Sequence, residues 1–133
     1  MKVLLTLYGD EALKDLDTPE GHERNLRAWG EFYAAAEAAG VLVLCEPLEA
    51  AHTATTVRVS GGGRHLTDGP FMETKEQLGG ILVLRVEDLD EALRWAERTP
   101  WNHDGCSTEI RPIVDYEATA ARLGMAPGEA GAS

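Results

Sequence analysis

Gly79-Gly80-Ile81-Leu82-Val83-Leu84-Arg85-Val86-Glu87-Asp88-Leu89-Asp90-Glu91-Ala92 holds, in one run, a strand, a turn and the start of a helix. The two glycines release an apolar segment, Ile81–Val86. It is short and dense in Ile, Leu and Val, which reads as a buried strand. Asp88 or Asp90 then caps a helix running to about Arg98, with Leu89, Leu93 and Ala96 inward, and Thr99-Pro100 ends it. Side chains alternate along a strand, so Ile81 and Val83 face one way and Leu82, Leu84 and Val86 the other. Both faces are apolar, yet one layer of helices covers only one of them.

The same pattern recurs upstream. Lys2–Tyr8 is an apolar run ended by Gly9-Asp10 and reads as the first strand, with Val3, Leu5 and Leu7 opposing Leu4, Thr6 and Tyr8. Asp10–Asp17 is acidic and forms a loop or a short helix. Thr18 as N-cap and Pro19 at the first helical position open a long helix that stops at Gly40. His22, Leu26, Trp29, Tyr33 and Ala36 fall at helical spacing on one face. Val41–Glu46 is a second strand, ended by Pro47. Thr55–Ser60 and Arg64–Thr67 pair through Gly61-Gly62-Gly63 as a hairpin. Asp68-Gly69-Pro70 is a turn, Phe71–Leu78 is irregular, and Thr108–Val114 is the last strand.

The order is β-α-β, an inserted β-hairpin, then β-α-β. This is the α+β, ferredoxin-like split βαβ arrangement, with an antiparallel sheet and both helices on one face. One domain is expected over residues 1–116, followed by a flexible tail over 117–133. The second apolar face needs a cover, and the same face of another copy supplies it. A two-fold homodimer with a closed, barrel-like core is expected.

The chain has 133 residues, 23 Asp and Glu against 12 Lys and Arg, and a formal net charge of −11. So large an acid excess opposes binding to nucleic acid or to anionic lipid, both of which select basic patches. The first apolar run is too short for a signal-peptide core, and no stretch approaches the ~20 apolar residues of a membrane span. The cysteines, Cys45 and Cys106, form no CxxC pair, so neither a disulfide scaffold nor a structural zinc site is indicated. A cytoplasmic protein without metal or cofactor is expected. Trp101–Cys106 contains metal-ligand residue types, but the spacing fits no site template and reads as a solvated loop. The three glycines at 61–63 lack a following helix and lysine, so they do not make a phosphate cradle.

Thr67-Asp68-Gly69-Pro70-Phe71-Met72-Glu73-Thr74-Lys75-Glu76-Gln77-Leu78-Gly79-Gly80 is the most informative loop. Two readings fit it. Asp68 caps a rigid turn in which Phe71 anchors the loop in the core, or Asp68 or Glu73 is a pocket carboxylate. His22, in the first helical turn, either packs against the first strand or serves as a neutral general base. Arg58, in a strand, either pairs with Glu46 or Glu109 or holds a substrate anion bidentately.

Asp68-Gly69-Pro70-Phe71 followed by Glu73–Gly80 resembles the signature of the YCII-related, or DGPF-domain, family. Tyr8-Gly9-Asp10-Glu11, Ala54–Arg58, Asp88–Ala92 and Glu109–Pro112 agree with it, so the resemblance spans roughly Met1 to Val114. It implies a dimeric α+β barrel of ferredoxin-like subunits. It also implies a small enzyme with a His–Asp pair, for which His22 and Asp68 are the matching residues. Cys45 before Glu46 departs from the usual pattern. The function expected is a cofactor-independent acid/base elimination or isomerisation on an aromatic or lactone-like metabolite. His22 would be the base, Asp68 its partner, Arg58 the anion anchor, and Glu46 and Glu73 further substrate contacts. The alternative is a non-catalytic ligand-binding or regulatory interaction module. No haem or flavin motif is present, which ranks an oxygen-using barrel enzyme last.

Overall fold

A computed structural model describes residues 1–11 and 18–125. Strand β1 (Lys2–Gly9) leads to helix α1 (Pro19–Ala38), β2 (Leu42–Pro47) and a 3-10 turn (Ala51–Thr53). The hairpin strands β3 (Thr55–Ser60) and β4 (Gly63–Asp68) follow, then β5 (Gln77–Arg85), α2 (Leu89–Arg98), β6 (Cys106–Pro112) and α3 (Tyr116–Arg122). The main sheet runs β2-β5-β1-β6 with every neighbouring pair antiparallel, and β3-β4 is a separate two-stranded ribbon. The α+β class and the antiparallel sheet are as the sequence led one to expect. None of the described helices is long and apolar enough to cross a membrane.

Local chemistry sets the element ends. The Thr18 side chain accepts from the Gly21 N–H at 3.0 Å, and Pro19 opens α1. Asp88 caps α2 by accepting from the Glu91 N–H at 2.9 Å. Gly61 and Gly62 both have positive φ, 58° and 78°, which is the two-residue type I′ turn whose twist matches the ribbon. The third helix was not anticipated. Asp115 caps it, accepting from the Ala118 N–H at 3.0 Å, and Ala120 is buried beneath it. The acidic segment 12–17 and the end of the tail, 126–133, lie outside the described residues.

The core sits on one side of the main sheet. Val3, Leu5 and Leu7 of β1 and Leu82 and Leu84 of β5, with Val86 just beyond it, are buried together with Phe32, Ala36, Ala92, Trp95 and Ala96. Phe32 stands edge-to-face to Trp95 at 6.0 Å, so the two helices share that core. Leu4, Tyr8, Ile81 and Val83 point the other way and stay half-buried.

Both helices present a different face from the one their large apolar residues suggest. In α1 the buried residues are Gly21, Phe32 and Ala36, while His22, Leu26 and Tyr33 are exposed. The inward face is turned by about one residue, ~100°. Ala36 is buried as expected and Trp29 packs against the core, whereas Phe32 and Gly21 take the inward places expected of Tyr33 and His22. In α2 the buried set is Ala92, Trp95 and Ala96, while Leu89 and Leu93 are exposed. Trp95 carries the larger apolar area, and the Arg98 guanidinium covers its ring at 4.4 Å.

Candidate functional site

The glycine pair does not merely precede β5 but lies inside it. Leu7 faces Gly80 and Tyr8 faces Leu78, so Gly79 is the extra residue of a β-bulge. A Cβ on Gly80 would meet the Glu46 carbonyl oxygen at 3.2 Å and Leu7 Cδ1 at 3.3 Å. The sheet therefore has no side chain at this point of its helix-covered face. Across from it the first half of α1 contributes Gly21, Asn25 and Ala28 together with Arg24 and Leu26. The missing volume is a cavity of about 600 Å³. Trp29, Tyr33, Trp101, Leu7 and Leu48 give it an aromatic and aliphatic wall. Asp10, Arg24, Glu46 and His103 are its ionisable groups, beside the thiols of Cys45 and Cys106.

The segment 101–106 closes one end. Trp101 Nε1 donates to the Tyr8 carbonyl at 3.0 Å, and Cys106 pairs with Gly9 across the β1–β6 ladder. A Cβ on Gly9 would lie 2.9 Å from Cys106 Sγ and 3.0 Å from Trp101 Cζ2, so glycine makes room for both. Cys106 Sγ lies 3.7 Å from His103 Nδ1 and 3.6 Å from Nε2. On the opposite wall, burial pushes the Cys45 thiol above its ordinary value, and the neighbouring Glu46 carboxylate adds to that. Among the described residues, no group of three or more His, Cys, Asp or Glu side chains could hold a metal ion.

Of the five residues singled out from sequence, Glu46 lines this cavity. His22 is exposed, one position beyond the lining residue Gly21. Arg58 is exposed on β3 opposite His65, and its guanidinium donates to the Phe71 carbonyl at 3.1 Å. Asp68 ends β4 opposite Thr55 and is exposed, as is Glu73. Phe71 does not anchor its loop in the core, for its side chain is 70% exposed. The loop is tied instead by polar bonds: Gly69 N–H to the Ala54 carbonyl at 2.6 Å, Thr56 Oγ1 to the Gly69 carbonyl at 2.8 Å, and Gln77 Nε2 to the Thr74 carbonyl at 2.8 Å. Residues 102–105, His103 among them, are exposed, as expected of a solvated loop, and Trp101 and Cys106 are half-buried. Only the pairing of β6 with β1 carries Trp101, His103 and Cys106 to the cavity, and spacing along the chain holds no signal of it.

Three comparisons with known proteins bear on this fold. The model of the YCII-related domain matches residues 1–117. The chain is 35% identical over 111 residues to uncharacterized protein R00369 of Rhizobium meliloti (strain 1021), covering 83% of this chain and 90% of that protein. Among solved structures it is similar to 5-chloro-2-hydroxyhydroquinone dehydrochlorinase of Burkholderia phenoliruptrix AC1100 in complex with 2,5-dihydroxybenzoquinone. The TM-score is 0.44 at 15% identity, with 86% of this chain and 94% of that chain covered.

Proposed function

The chain belongs to the YCII-related family, and from that premise we propose that it takes a small aromatic or lactone-like metabolite into the cavity between α1 and the sheet and moves a proton on it. The observation that carries this reading is the cavity itself, about 600 Å³ in volume, aromatic-walled, with a few ionisable groups at its margin. Ligand pockets typically have that size and make-up. Glu46 and His103 can exchange a proton with a bound molecule, and Arg24 can hold an anionic oxygen. Elimination or isomerisation is the reaction class such groups serve.

The subunit is read as a ferredoxin-like split βαβ unit, which the sheet order β2-β5-β1-β6 supports. It is read as half of a homodimer, supported by the apolar residues Leu4, Ile81 and Val83 on the sheet face away from the helices.

The test is calorimetric titration with catechol and with dihydrocoumarin, followed by deuterium exchange from solvent into the carbon next to the dihydrocoumarin carbonyl. Saturable binding is expected, abolished by Ala28→Phe, which fills the cavity. Exchange is expected to slow about 10²-fold in Glu46→Gln. His22→Gln and Asp68→Asn test the competing dyad and should leave binding unchanged. Loss of binding in those two variants, with Ala28→Phe unaffected, overturns the cavity assignment in favour of the helix start and arm.

A further inference from the structure

We propose that Cys106, with His103 as its base, is a nucleophilic thiol that adds to α,β-unsaturated carbonyl compounds entering the cavity. The proposal deepens the reading above, because it needs a small molecule to enter the same space. Three independent features converge on the sulfur. Cys106 lines the cavity beside Trp101 and His103, so a flat ligand there can lie against it. His103 Nε2 stands 3.6 Å from Sγ, while Nδ1 faces the Asp104 carbonyl at 3.3 Å, so the Nδ1–H tautomer leaves the Nε2 lone pair for the thiol proton. Gly9 lies directly beneath, where a Cβ would come within 2.9 Å of Sγ. The sulfur is thus held by a built seat, and Trp101, anchored on the Tyr8 carbonyl, walls one side of it.

The step balances without an oxidant or reductant. His103 takes the thiol proton. The sulfur electron pair forms a C–S bond at the β-carbon, and the C=C pair moves onto the carbonyl oxygen as an enolate. The imidazolium then returns its proton to the α-carbon. The net change is addition of S–H across the double bond. Other charged groups of the cavity wall are Asp10, Arg24 and Glu46. The other thiol of the wall, Cys45, is held protonated by burial and by the Glu46 carboxylate.

The probe is 2-cyclohexenone, with intact-mass measurement and peptide mapping on the full chain. Cyclohexanone, which binds without reacting, is titrated in parallel by quenching of Trp29 and Trp101 fluorescence. A single adduct on Cys106 is expected, absent in Cys106→Ser and retained in Cys45→Ser. His103→Gly should slow adduct formation about 10²-fold. Added imidazole should restore the rate in that variant, which a merely structural role would not allow, and His103→Gln should stay slow. An adduct on Cys45 alone, an unchanged rate in His103→Gly, or no adduct on a protein that binds cyclohexanone overturns the proposal. A Cys106 adduct without cyclohexanone binding sinks the cavity reading and leaves the thiol assignment standing. Neither binding nor adduct overturns both.

Discussion

Gly80 and Gly9 are the residues on which the site's shape turns. Each is buried where a neighbouring strand or side chain approaches too closely for a Cβ. Gly80→Ala forces the Glu46 carbonyl or Leu7 to give way. A loss of about 1–3 kcal/mol in urea unfolding is expected, the usual range for overpacking. An unchanged midpoint would mean that the Glu46 carbonyl and Leu7 yield at no cost. Cys45 adds a pH dependence of definite sign. Its folded-state value lies above the ordinary 9.0, so the folded chain holds that proton more tightly than the unfolded one. The resulting stability is full below the ordinary thiol value and is lost as pH rises through the higher, folded-state one. Urea midpoints of the wild type should therefore fall relative to Cys45→Ala above about pH 9, with the difference constant below about pH 8. A difference independent of pH would remove burial as the cause.

At the scale of elements, what the sequence revealed was where segments begin and end by side-chain capping. Thr18, Asp88 and the Gly61-Gly62 turn all act as their chemistry dictates, because these are bonds between near neighbours in the chain. The inward faces of α1 and α2 were misread for a tertiary reason. Ala36 and Ala96 were placed inward correctly, but close approach to the sheet also favours Gly21 and Ala92, which carry no signal in a hydrophobic stripe. The site divides the same way. Glu46 was legible at the end of its strand, whereas His103 and Cys106 enter the cavity only through the long-range pairing of Gly9 with Cys106. Because the Thr18 cap holds the end of α1 that roofs the cavity, its removal reaches further than one lost bond. Thr18→Ala should lower stability by about 1 kcal/mol and also weaken catechol binding. The matched Asp88→Ala variant should lose similar stability without touching affinity. Equal affinity in both variants would separate the roof from the ligand.

For the whole molecule, two surfaces ask for a cover. Leu4 faces Val83 and Thr6 faces Ile81 across the β1–β5 ladder, on the sheet face that α1 and α2 leave uncovered. The β3–β4 ribbon puts Val57 opposite Leu66, with Val59 two residues on along the same face, and these are 57%, 59% and 78% exposed. An isolated two-stranded hairpin is marginal in water, so an arm with that much apolar surface gains from being covered. A second copy is the cover we propose for the sheet face, since a two-fold axis can bring one apolar face against its equivalent and close the contact. The net charge of −11 opposes wider association by long-range repulsion. Sedimentation equilibrium at micromolar concentration should accordingly give twice the 14.4 kDa chain mass, independent of rotor speed. Val83→Asp puts a carboxylate on the outer sheet face and should return the chain to a single mass with its circular dichroism intact. Val59→Asp should weaken association only if the arm lies within the same contact. A wild-type monomer, or a dimer indifferent to Val83→Asp, would mean that the two apolar faces of β1 and β5 have some other cause than pairing.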